Sequence, residues 1–120
     1  MVETSEDRRR FQRIDYGNSV SYKKLRTPAE EPVGALAKDL GEGGVRFTIN
    51  EFLSLASRLV IEIAIPNSPK PIKAIAKVAW IRKTPMGDQY EIGNQFLDMT
   101  KEDKKLVAKF IDSASGTQTF

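Results

Sequence analysis

The chain has 120 residues, 40% of them hydrophobic and 29% charged, and a net charge of +3. That size and balance fit one globular domain with a single modest core, and so mild a charge excess does not by itself argue for nucleic acid. Cysteine and histidine are both absent, which excludes disulfides, thiolate or imidazole metal sites, and Cys–His or Ser–His–Asp catalysis.

The opening, MVETSEDRRR, lacks the apolar stretch of a secretion signal. No apolar run approaches the roughly 20 residues of a membrane helix. A cytoplasmic protein without membrane insertion is therefore expected. Residues 1–7 are polar and expected to be disordered. RRRFQR follows, from Arg8 to Arg13, and holds more positive charge than the whole chain nets.

From residue 15 to residue 100 the pattern is mostly that of β-structure. SVSYKKL (19–25) reads as a strand. VGALAKDL (33–40) places Val33, Ala35 and Ala37 on one side. GVRFTI (44–49) sets Val45, Phe47 and Ile49 against Arg46 and Thr48. RLVIEIAI (58–65) sets Leu59, Ile61, Ile63 and Ile65 against Glu62 and Ala64. A period of two marks a half-buried strand. EFLSLAS (51–57) fits either a helical turn or an irregular corner. NSPKP (67–71) and PMGDQ (85–89) are turns. Between them IKAIAKVAWIRK (72–83) puts Lys73 and Lys77 on one face and Val78 and Trp80 on the other. In YEIGNQFL (90–97) Tyr90, Ile92 and Phe96 share a face.

At Thr100 the period changes. Thr100 is the expected N-cap, with Glu102 and Asp103 in the first turn. Leu106, Val107, Phe110 and Ile111 then form one apolar stripe of a short helix. SASGTQTF (113–120) is expected to fray. Short strands, regular turns and one terminal helix predict an all-β fold with a C-terminal helix, closed or nearly closed as a barrel. Periodicity does not decide whether the helix covers an end of the barrel or reaches outward to another protein.

Two stretches carry chemistry. Arg9 and Arg13 share a face in a helix and in a strand alike, so their guanidinium groups can converge on one ligand. Guanidinium grips phosphate through paired hydrogen bonds and stacks on flat rings. A solvated basic arm is the plain alternative. In DLGEGG (39–44), Gly41, Gly43 and Gly44 permit positive φ and close backbone approach. Asp39 beside them can accept hydrogen bonds from a guanine edge, or can simply serve a tight turn. A ligand with both phosphates and guanines would use both stretches, which requires Arg13 and Asp39 to come together.

In order and spacing the chain resembles the PilZ domain family over residues 8–112. RRRFQR matches the family's RxxxR motif and DLGEGG its (D/N)xSxxG motif. VAWIRK and YEIGNQF, followed by a short helix, resemble its later strands and its ending. The resemblance implies a six-stranded antiparallel β-barrel plus a C-terminal α-helix, no catalytic activity, and binding of cyclic di-GMP. It further implies that Arg9 and Arg13 grip phosphates and stack on guanine, that Asp39 reads a guanine edge, and that Gly44 keeps the barrel surface clear. Trp80 either lines that surface or is a plain core aromatic. Arg8, preceding the pair, implies an intercalated ligand dimer, two molecules per chain. Gly41 stands where the motif has serine; the missing hydroxyl removes roughly 0.5–1.5 kcal/mol of hydrogen bonding, about a 2- to 12-fold loss of affinity.

The expected function is a bacterial sensor or adaptor, in motility or biofilm signalling, whose arginine arm moves onto the barrel with ligand and changes the surface shown to an unidentified protein partner. A degenerate PilZ interaction module that does not bind the nucleotide is the alternative, motivated by Gly41. An RNA- or DNA-binding barrel is disfavoured because the basic residues cluster at one terminus with few outward aromatics. An enzyme is disfavoured because the 16 carboxylates are scattered and no nucleophile–base pair is visible.

Overall fold

The computed structural model describes residues 13–15, 19–27, 30–66, 68–85 and 87–116. Residues 1–12, and with them the expected disorder of 1–7 and the expected roles of Arg8 and Arg9, lie outside the described residues, as do residues 117–120 of the expected tail. The described chain forms β1 (Arg13–Asp15), β2 (Ser19–Lys24), β3 (Val33–Gly41), β4 (Gly44–Ile49), β5 (Arg58–Ile63), β6 (Ile72–Lys83), β7 (Tyr90–Met99) and a helix α1 (Lys101–Gly116).

The strands pair antiparallel in the order β3, β2, β5, β6, β7, β4, and β4 pairs back onto β3. This last pairing closes a six-stranded barrel and leaves no long open edge. The short β1 lies outside that count. It pairs with β3 at Arg13–Gly41, Ile14–Leu40 and Asp15–Asp39, on the edge of β3 where β2 pairs farther along at Ser19–Leu36 to Tyr22–Val33. β1 and β2 thus run as one interrupted line beside β3.

The inward faces follow the alternation of the sequence. Val45, Phe47, Ile49, Leu59, Ile61 and Ile63 are all buried, each contributing roughly 1.5–3 kcal/mol of apolar burial. Tyr22 stacks on Phe47 with ring centroids 5.6 Å apart, and its hydroxyl donates to Glu51 Oε2 at 2.7 Å. Burial and the Glu51 carboxylate together push the Tyr22 phenol well above its usual range. EFLSLAS is an irregular corner: Leu53 tucks into the core while Phe52 and Leu55 stay exposed. Ala56 holds the corner with φ of 68°, an uncommon conformation for a residue with a side chain, secured by its amide donating to the Val78 carbonyl at 2.8 Å.

Helix α1 covers the barrel. Thr100 Oγ1 accepts from the Asp103 amide at 3.1 Å, capping the first turn. Asp103 Oδ2 in turn accepts from the Lys73 amide at 3.1 Å, tying the helix to the start of β6. Val107 and Ile111 are buried in the barrel core, whereas Leu106 at the stripe's edge is exposed. The helix continues to Gly116, past the expected end at 112; Ala114 packs against the core and extends the buried face by a turn.

Two ladders carry irregularities that the simple period of two does not contain. In β3 the register against β4 shifts between Ala37 and Asp39. Ala37 and Leu40 both point inward, while Lys38 and Asp39 both lie outside. In β6 the register against β7 shifts between Val78 and Trp80. Val78 is buried, but Trp80 is 40% exposed. The expectation that Val78 and Trp80 share a face is therefore wrong, and so is a core position for the indole. A bulge inserts one residue and re-aims the side chains beyond it.

Candidate ligand site

The two bulges turn Asp39 and Trp80 onto the same outer face of the barrel. Pairing across four strands then lines up one row: Asp39 on β3 opposes Arg46 on β4, Arg46 opposes Gly93 on β7, and Gly93 opposes Trp80 on β6. Neighbouring strands are about 4.8 Å apart, so the row spans about 14 Å. It floors an open cleft of about 520 Å³, lined by Asp39, Gly43, Gly44, Arg46, Ala79, Trp80, Gly93, Asn94 and Gln95. That volume is within the usual range for a small-molecule site, roughly 300–1,000 Å³.

Each member of the row has a physical reason to be there. Gly93 has no side chain because the Trp80 indole occupies that space; a Cβ on residue 93 would overlap the indole ring. Gly44 permits close approach: a Cβ there would overlap the backbone carbonyl of Asn94 on β7. Its role in the described fold is thus to let β4 and β7 pair at the cleft edge. Left-handed φ is not what it supplies; among the described residues Ala56 and Gly87 adopt that conformation.

The cleft's charge is organised around Arg46. Its Nη2 lies 2.8 Å from Asp39 Oδ2 and its Nη1 lies 3.4 Å from Glu91 Oε2. Glu91 is 6% exposed and also takes Arg82, whose Nη2 is 2.7 Å and Nε 2.9 Å from Oε1. The Arg82 guanidinium in turn lies over the Trp80 ring, 5.7 Å from its centroid. Asn94, only 4% exposed, donates to the Val45 carbonyl at 3.2 Å.

Of the residues singled out from sequence, Asp39, Gly44 and Trp80 meet in this one cleft. Arg13 stands on β1 opposite Gly41, two positions along β3 from Asp39, so Arg13 and Asp39 lie on adjacent strands. Gly41 is buried in that pairing and is not among the cleft-lining residues. Arg8 and Arg9 lie outside the described residues. Arg46, Glu91, Gly93 and Asn94 were not foreseen. Two had a readable signal: a glycine inside a strand marks close approach, and Asn94 falls at an inward position between Ile92 and Phe96.

Among the described residues no group of three or more acidic residues could hold a metal ion, and no helix is long and apolar enough to cross a membrane. No curated protein matches the chain. Among solved structures it is similar to the Bacillus subtilis inhibitor of motility MotI/DgrA, with a TM-score of 0.77 and 17% identity over 93% of this chain and 53% of that one. It is also similar to the PilZ domain of YcgR from Escherichia coli with c-di-GMP, with a TM-score of 0.66 and 18% identity over 92% of this chain and 94% of that one. The K. pneumonia MrkH-c-di-GMP complex matches with a TM-score of 0.66 and 17% identity over 92% of this chain and 54% of that one. The chain therefore spans about half the length of MotI/DgrA and MrkH and nearly all of the isolated YcgR domain. At these identities the likeness is one of fold. The family model for the PilZ domain matches residues 7–113, a range that contains every described strand and every cleft-lining residue, and the chain belongs to the PilZ domain family.

Proposed function

We propose that the chain is a cyclic di-GMP-binding sensor or adaptor without catalytic activity. The observation that carries this reading is the meeting of Asp39, Gly44 and Trp80 in one open cleft, with Arg13 on the strand next to Asp39. The solved structures of the YcgR PilZ domain with c-di-GMP and of the MrkH-c-di-GMP complex support the choice of ligand. In this reading Asp39 accepts hydrogen bonds from a guanine edge while Arg46 holds the carboxylate from behind. Trp80 offers a flat apolar wall to a purine. Arg9 and Arg13 clamp phosphates through charge-assisted pairs, and Arg8 stacks on a guanine of a second, intercalated ligand, giving two molecules per chain.

The arginine stretch leads directly into β1, a three-residue strand at the edge of β3. Ligand held between that stretch and Asp39 draws the arm onto the barrel, and the altered surface is what a protein partner reads. Calorimetric titration with cyclic di-GMP tests the binding, and amide exchange over residues 5–15 with and without ligand tests the arm. Equal protection in both states would rule out the moving arm.

Gly41 favours a second reading, an interaction module that has lost the nucleotide. Gly41→Ser separates the two: restoring the hydroxyl should raise affinity by about 2- to 12-fold if the site is in use. Absence of binding by both proteins at high ligand concentration would favour the second reading.

A further inference from the structure

We propose that Glu91 is the positioning residue of the cleft, coupling the carboxylate wall at Asp39 to the aromatic wall at Trp80. This inference rests on the reading of the cleft as a ligand site and names a residue of that site which touches no ligand itself. Glu91 lies one row behind the cleft floor, on β7 opposite Thr48 of β4 and Arg82 of β6. Its two carboxylate oxygens divide the work. Oε2 takes Arg46 at 3.4 Å, the guanidinium that holds Asp39 at 2.8 Å. Oε1 takes Arg82 at 2.7 Å, the guanidinium that lies over the Trp80 ring.

The chain Asp39–Arg46–Glu91–Arg82–Trp80 crosses four strands and joins both walls. A carboxylate this buried must be paired, and low exposure strengthens its bond to Arg46 more than that to the solvent-facing Arg82. Gly93 makes the geometry possible. With no side chain between Arg46 and Trp80, Arg46 leans back to Glu91 and the indole lies across the vacated position. Movement at one wall is therefore felt at the other through a single carboxylate. Lys38, 3.7 Å from Oε2 and half exposed, adds charge to Glu91 without belonging to this chain of contacts.

Trp80 is the only tryptophan of the protein, so fluorescence reports on one wall alone. Acrylamide quenching of the ligand-free protein should increase in Glu91→Gln and in Arg82→Met, and stay unchanged in Lys38→Met. Arg82 is 68% exposed, so Arg82→Met keeps the test available should Glu91→Gln fail to fold. Cyclic di-GMP affinity should fall by about tenfold in Glu91→Gln, less in Arg82→Met, and hardly at all in Lys38→Met. Unchanged quenching in folded Glu91→Gln or in Arg82→Met overturns the coupling, as does an equal increase in Lys38→Met. If the unaltered protein binds no cyclic di-GMP, the ligand reading falls, and the quenching result still upholds or overturns the coupling.

Discussion

Trp80 and Gly93 face each other across the β6–β7 ladder, and the indole lies where a side chain on residue 93 would begin. The missing side chain at residue 93 leaves room for a large flat ring to lie against the outside of the barrel. Gly93→Ala should therefore displace the indole. We expect a shifted Trp80 emission maximum, a loss of cyclic di-GMP affinity, and a stability cost of about 1 kcal/mol from local overpacking. An emission maximum identical to that of the unaltered protein would mean the ring is placed by something else.

Gly44 meets backbone, where Gly93 meets a side chain that can move. A Cβ on residue 44 would overlap the Asn94 carbonyl, and neither β4 nor β7 can yield without disturbing the ladder between them. Gly44→Ala should cost about 1–3 kcal/mol in denaturant unfolding, more than Gly93→Ala. A change within about 0.5 kcal/mol would show that the strands have slack at this edge.

Tyr22 makes stability sensitive to alkali. Its phenol is held protonated in the fold by burial and by the bond to Glu51, whereas in the unfolded chain it ionises near pH 10. Above that pH the unfolded state has lost a proton that the folded state retains, so stability falls as pH rises, by up to about 1.4 kcal/mol per unit. Tyr22→Phe should flatten this decline relative to the unaltered protein. Parallel stability curves for the two above pH 10 would contradict it.

Arg8 is expected to set stoichiometry. In the proposed arrangement its guanidinium stacks on the second ligand of an intercalated pair, so Arg8→Ala should reduce the calorimetric count from two cyclic di-GMP molecules per chain to one. A count of one in the unaltered protein would remove the role given to Arg8.

The fold was legible because its core obeys the simple period. Leu59, Ile61 and Ile63, and Val45, Phe47 and Ile49, alternate in sequence and are buried together in the structure. Val107 and Ile111 marked the apolar face of the helix by its own period, though not that this face covers the barrel. The cleft was legible in its named motif residues but not in its construction. Asp39 and Trp80 each sit at a bulge, and counting by two carries Trp80 into the core beside Val78. Bulges arise from pairing with a neighbouring strand, which one strand's own pattern does not encode. Arg46 read as an ordinary outward residue of GVRFTI, and nothing in YEIGNQFL singled out Glu91. Their pairing depends on β3, β4, β6 and β7 meeting in three dimensions, at separations of up to 52 positions between Asp39 and Glu91.

The most direct test is a calorimetric titration of cyclic di-GMP into the unaltered protein, Arg13→Ala and Asp39→Ala. Charged contacts to a desolvated ligand on both adjacent strands predict saturable binding that weakens by well over about tenfold in each variant. Binding of undiminished affinity in both variants, or no binding by the unaltered protein, would contradict a ligand held between Arg13 and Asp39.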